Sequence, residues 1–192
     1  MKKLSRELGM SFTAKDEFGM LRLLLDFRLF KKGRSKKISG ILKEKSPMME
    51  EDLRIFDYAY TIRTGKSSRT FRQTVFFIQS KELGLPHLYL RPENFFHKIG
   101  NFLGVQDINF KAFPEFSQQY WLVGEEEDRI RQSMQPEILH FFSIEKDWCL
   151  EGLNYYLILY KKNQLIQPGR IGQFFETGKE LVYLLKEKND FV

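Results

Sequence analysis

The segment Arg91-Pro92-Glu93-Asn94-Phe95-Phe96-His97-Lys98, followed by Asp107, holds the densest set of side chains that can move a proton or hold an anion. On a helix Glu93 and His97 stand four apart and share one face, so they can hydrogen-bond, work as an acid/base pair or supply two ligands to a metal. A metal needs at least a third ligand, from Asp107, Asp57 or His87. With only 3 histidines in the chain, a zinc centre would have to lean on carboxylates. The competing reading is structural: Arg91 pairs with Glu93 or Asp107 and orders a loop. The candidate cluster is therefore Arg91, Glu93, His97, Lys98 and Asp107, with ligand binding or hydrolysis as its chemistry and no metal or other cofactor expected.

Three other features invite chemistry. Gly65-Lys66-Ser67 resembles the end of a phosphate-binding loop, but the glycine such a loop needs five residues before its Gly-Lys pair is replaced by Tyr60, and the tripeptide sits between strand-like segments. It reads as a solvated turn. Cys149 lies between Trp148 and Leu150 without a histidine beside it, which describes an inert core thiol and gives no nucleophile. The run Lys31-Lys32-Gly33-Arg34-Ser35-Lys36-Lys37 carries five cations in seven residues. It reads first as a solvated basic loop; as a binding surface it suits anionic membrane or an acidic protein partner, and nucleic acid ranks behind these, because Tyr58 and Tyr60 are as well explained by core packing as by base stacking.

The elements that must position these groups follow from periodicity. Leu4 to about Phe30 reads as mainly helical, with Asp16 and Glu17 suited to a helix N-terminus. Ile38–Lys45 is a weak strand. Leu53–Thr64 places Phe56, Tyr58, Tyr60 and Ile62 on one side, Phe71–Gln79 is apolar on both faces, and His87–Arg91 alternates; together they predict an antiparallel meander. Pro92 opens a helix reaching about Leu103, and Gln106–Ser117 reads as a loop. The second half predicts a strand at Tyr120–Val123, helices over Glu125–Met134 and from Pro136, a hairpin of Trp148–Glu151 and Tyr155–Tyr160, and a closing helix from Ile171. The fold class is α+β: a meander with flanking helices, then a β-α-β-β-α half, packed as one unit. A single domain over 1–192 is expected, with 1–105 and 106–192 as subdomains.

Composition narrows the classes. Hydrophobic residues make up 42% and charged residues 29% of the 192 residues, which excludes a disordered tail or a membrane bundle. Net charge is +6, but residues 1–100 hold 21 Lys and Arg against 11 Asp and Glu, whereas residues 101–192 hold 10 against 14. The chain is electrically polarised. One cysteine rules out an internal disulfide, no disulfide-linked partner is expected, and a cytoplasmic setting fits.

Several phrases resemble a family of uncharacterised bacterial proteins. They are Phe56-Asp57-Tyr58, Gln73-Thr74-Val75, Leu90-Arg91-Pro92-Glu93-Asn94-Phe95-Phe96-His97-Lys98-Ile99-Gly100, Gln106-Asp107-Ile108-Asn109-Phe110 and Pro114-Glu115-Phe116-Ser117. The resemblance implies an α+β domain with no enzymatic label, which in some members follows N-terminal membrane helices. The functional expectation is a non-enzymatic domain that binds a protein or sits peripherally at the cytoplasmic face of a membrane. A pocket around Arg91, Glu93, His97 and Asp107 is the alternative, and nucleic-acid binding through the basic half, Lys31, Lys32, Arg34, Lys36 and Lys37 included, comes third.

Overall fold

The structure is a computed structural model that describes residues 2–16, 19–44, 51–93 and 107–186. Its centre is one antiparallel sheet whose eight strands, among the described residues, run in the order β1-β2-β3-β4-β8-β7-β5-β6. In chain order these are β1 (Met10–Lys15), β2 (Arg34–Glu44), β3 (Glu51–Thr64), β4 (Ser67–Ser80), β5 (Leu85–Pro92), β6 (Tyr120–Gly124), β7 (Trp148–Asn154) and β8 (Tyr156–Lys161). The α+β class holds, and strands from both halves of the chain share the sheet.

Three local expectations need correction. The first 30 residues do not form one long helix: α1 (Lys2–Glu7) gives way to strand β1, and α2 (Met20–Leu23) and α3 (Arg28–Lys31) are single turns. Phe12 and Thr13 suit a pleated strand, and β1 satisfies the outer edge of β2 by pairing Met10 with Glu44 through to Lys15 with Ser39. Asp16 does cap a helix, but only the short α2, where Oδ1 accepts from Met20 N–H at 2.9 Å. Second, β5 leaves the meander. Strand β4 is apolar on both faces and needs a neighbour on each edge; β3 takes one and β8 the other, so the β7–β8 hairpin stands between β4 and β5. Third, Pro92 ends β5 opposite Tyr120, and the span read as a loop contains α4 (Pro114–Gln119). Of the helix expected from Glu93 to about Leu103, Glu93 is in a 3-10 turn and the rest lies outside the described residues.

The two faces of the sheet are covered differently. On the first lie α4, α5 (Glu127–Ser133), α6 (Pro136–Ile144) and the long α7 (Ile171–Lys186). Phe174, Phe175, Leu181, Val182 and Leu185 of α7 pack with Leu53, Ile55, Phe76, Ile78, Leu157 and Leu159 in one core. The second face carries Phe56, Tyr58, Tyr60, Val75, Phe77, Cys149, Ile158 and Tyr160, and among the described residues it is covered by the chain from Met20 to Phe30, through Met20, Leu24, Phe27, Leu29 and Phe30. There, among the described residues, a strap of eleven residues stands where the first face has four helices.

Contact between α7 and the sheet is close enough to demand glycine at one point. A Cβ on Gly178 would stand 2.4 Å from two atoms of the Phe76 ring. Alanine normally favours a helix over glycine by about 1 kcal/mol, whereas overpacking a core costs about 1–3 kcal/mol. Against ring atoms this close the clash belongs at the upper end of that range, so Gly178→Ala is expected to lower stability by about 2 kcal/mol in urea unfolding; a variant as stable as the parent would show that α7 stands further from β4.

Candidate functional site

The strap over the second face is fastened by one buried carboxylate. Glu151, in the middle of β7, is 3% exposed. Its Oε2 accepts the backbone N–H of Arg28 at 2.6 Å and its Oε1 that of Leu29 at 3.0 Å, with the Tyr160 hydroxyl donating to Oε1 at 3.3 Å. Arg28 and Leu29 are the first two residues of α3, whose N–H groups have no partner within the helix. A carboxylate at that end satisfies them and complements their partial positive charge. Phe27 and Phe30 then turn into the core, Phe30 lying 4.3 Å from the Tyr58 ring centre.

Other protonatable groups crowd around this bracket. Burial pushes the Cys149 thiol up to about 12, and Tyr160 well above its ordinary value, for the same reason first. Both stay protonated at neutral pH. Cys149 is therefore no nucleophile, in keeping with the sequence reading. The Glu151 carboxyl is also raised: desolvation outweighs the two backbone N–H groups and the Lys32 ammonium that favour its charged form.

Cations ring the same face. Arg28 places its guanidinium carbon 5.1 Å from the Tyr89 ring centre, and Arg91 lies 4.4 Å over Trp121. Arg69 lies 4.9 Å over Phe71. Lys162 stands in the turn after β8; its ammonium is held below the usual lysine value by desolvation first and then by Lys32, with Arg91 and Arg69 contributing. A cleft of about 490 Å³ opens beside the strap, lined among others by Asp26, Arg28, Lys31, His87, Tyr89 and Glu151.

The structure distributes the sequence candidates unevenly. Arg91 belongs to this cationic face, and its charge reaches Asp107. Asp107 itself is engaged in holding its segment against β6: Oδ1 accepts Leu122 N–H at 3.0 Å, Oδ2 accepts Asn109 Nδ2 at 3.2 Å, and desolvation raises its carboxyl. Glu93 stands just past β5, its Oε2 buried with no hydrogen-bond partner among the described residues. His97 and Lys98 lie outside the described residues. Of the basic run, Lys31 ends α3 and Lys32 comes next, while Arg34 pairs with Thr61 and Lys37 with Ala59. Because Ile38 beside Lys37 pairs with Tyr58 on the second face, strand alternation sends Lys37 to the opposite one. Lys36, half-buried, precedes it in β2. The run is thus divided between faces, and Tyr58 and Tyr60 are buried in the core, out of reach of a stacking base.

Arg28, Glu151, Tyr160 and Lys162 were not candidates in the sequence. The available signal was a glutamate two residues after Cys149 in an otherwise apolar strand, which puts a carboxylate on the thiol's buried face. Among the described residues no three His, Cys, Asp or Glu side chains gather as a metal site, and no helix is long and apolar enough to cross a membrane.

No protein-family model matches the chain, and no curated protein matches its sequence. One solved structure is similar in fold. The crystal structure of the mycobacterial trehalose monomycolate transport factor A superposes with a TM-score of 0.65 at 10% identity, covering 96% of this chain and 92% of that one. At that identity the likeness is one of fold alone.

The bracket makes a signed pH prediction. Because native Glu151 holds its proton more tightly than the unfolded chain does, stability falls as pH rises from the ordinary carboxyl value of 4.5. Glu151→Gln removes this slope while leaving one backbone N–H poorly paired, at about 1–3 kcal/mol. Urea unfolding is expected to show a larger deficit for the variant near about pH 5 than near about pH 7.5. A deficit that grows with pH would overturn the assignment.

Proposed function

We propose that the protein is a non-enzymatic binding domain that works peripherally at the cytoplasmic face of a membrane, with the second face of its sheet turned toward anionic lipid. The observation that carries this reading is the gathering of Arg28 over Tyr89, Arg69 over Phe71 and Arg91 over Trp121 on the face that, among the described residues, has the thinnest cover. Cations held at one face attract an anionic surface placed opposite them. Engagement of Glu151 and Asp107 by backbone N–H groups favours binding over proton transfer. The fold neighbour is by name a transport factor, and a role supporting transport at a membrane is consistent with such a surface. The bacterial family that the sequence resembles, some of whose members begin with membrane helices, supports the same setting.

The test is co-sedimentation with vesicles of phosphatidylglycerol or of phosphatidylcholine alone. Binding to the anionic vesicles only is expected, weakening as salt is added. At about 1 kcal/mol per cation near an anionic surface, replacing Lys31 and Lys32 by Ser should weaken it at least about tenfold. Equal binding to both vesicle types, or no effect of the two substitutions, would refute the reading.

A further inference from the structure

We propose that the tip of the β3–β4 hairpin, Ile62–Thr70, is the part of the chain that enters an anionic lipid surface, with Ile62 seated among the head groups and Arg63, Lys66 and Arg69 against their phosphates. The proposal rests on the membrane reading for the kind of surface met, and adds the element that meets it.

The tip stands clear of the rest of the sheet. Pairing of β3 with β2 ends at Thr61, opposite Arg34, and pairing of β4 with β8 ends at Val75, opposite Tyr160. The turn after β8 extends the cover as far as Arg72, whose N–H donates to Asn163 Oδ1 at 3.3 Å. Beyond that, among the described residues, β3 and β4 pair only with each other, from Ile62 with Arg69 to Thr64 with Ser67, and every residue from Ile62 to Thr70 is exposed. At about 3.3 Å per residue the arm reaches roughly 10 Å past Thr61. Its root is stiff. Phe71 stacks on Tyr60 with 5.3 Å between ring centres, and Tyr60 on Tyr58 with 5.7 Å; on the other face the Thr61 and Thr70 hydroxyls lie 3.0 Å apart. Gly33 has φ 61°, and a Cβ there would stand 2.6 Å from the Thr61 carbonyl oxygen and 2.8 Å from the Tyr60 ring. The chain leaving the strap, just past Lys31 and Lys32, therefore presses against the root of the arm.

The composition of the arm selects lipid. No acidic residue occurs between Asp57 and Glu82, whereas Arg63, Lys66, Arg69 and Arg72 do. Among the described residues none of these four is in an ion pair. Ile62, the cross-strand partner of Arg69, is 38% exposed. Thr64, Ser67, Ser68 and Thr70 around it are small, which leaves its aliphatic side chain prominent. An apolar group among cations matches the boundary of an anionic bilayer, where the one is buried beneath the head groups and the others meet phosphate. Single-stranded nucleic acid calls instead for exposed rings on which bases stack; Tyr58 and Tyr60 are buried, and the Arg69 guanidinium carbon lies 4.9 Å from the centre of the half-buried Phe71 ring.

The full chain carrying Ile62→Cys is labelled with an environment-sensitive dye; the natural thiol, Cys149, is 2% exposed and stays unlabelled in the folded protein. Emission is recorded with phosphatidylglycerol vesicles, with and without a quencher on the acyl chains, with phosphatidylcholine vesicles, and with a single-stranded oligonucleotide. A blue shift and quenching on the phosphatidylglycerol vesicles alone are expected. In the unlabelled protein, Arg63→Gln together with Lys66→Gln should weaken binding to those vesicles at least about tenfold. Both side chains are exposed, so unchanged thermal melting confirms that the variant folds. Vesicle binding with an unmoved dye, or with unchanged affinity in the double variant, overturns the tip and leaves the membrane reading standing. Absence of binding to either vesicle type overturns both. An oligonucleotide bound more tightly than the vesicles, and released by the same two substitutions, overturns lipid as the occupant.

Discussion

The second face of the sheet depends on one interaction, the Glu151 carboxylate accepting the first two backbone N–H groups of α3. A single-turn helix has almost no stability of its own, since nucleating a turn fixes several residues for one hydrogen bond. α3 (Arg28–Lys31) exists because Glu151 replaces the missing partners and Phe27, Leu29 and Phe30 bury themselves against the strands. The cost is a carboxylate deep in the protein, offset by three donors. Holding α3 also fixes the next stretch of chain: Lys31 at its end, Lys32 beside it, and Gly33 against β3.

The positive charge of the chain therefore has a specific location. It is carried by Lys31 and Lys32 at the end of α3 and by Arg91, which strand alternation in β5 brings to the same face, with Lys162 of the turn after β8 in electrostatic reach of Lys32 and Arg91. Aromatic rings beneath Arg28, Arg69 and Arg91 hold three guanidinium groups close to the sheet. The acidic residues of the second half are spent differently. Glu126 and Glu127 pair with Arg129 and Arg131 at α5, and Glu125 and Glu127 line the cleft beside Arg28 and Lys31.

Much of this was legible in the sequence wherever the signal was local. Phe56, Tyr58 and Tyr60 at period two, the turn at Gly65, the β7–β8 hairpin and the apolar stripe of α7 all express short-range pattern, and the structure has them. What the pattern could not give was long-range choice. Nothing in β4 or β5 says that a hairpin from far along the chain will stand between them, nor that Met10–Lys15 will be recruited to an edge. The site shows the same limit. Arg91 stood out because its neighbours are polar, but Glu151 is conspicuous only once α3 is known to start above it, and Lys162 only once β8 is known to lie beside β7. The basic run, contiguous in sequence, is divided by the alternation of the strand that begins inside it.

Glu151 offers the most direct trial, because it is an acidic residue that, on the function proposed, supports the binding of anions from beneath α3. Vesicle affinity is to be measured for folded Glu151→Ala against the parent, on phosphatidylglycerol membranes at one salt concentration. By charge alone, removing an acidic group should tighten binding. If Glu151 acts by seating α3 and the lysines at its end, binding should weaken although every cation remains. Unchanged or tighter binding in the variant would contradict the dependence of the cationic face on the buried carboxylate.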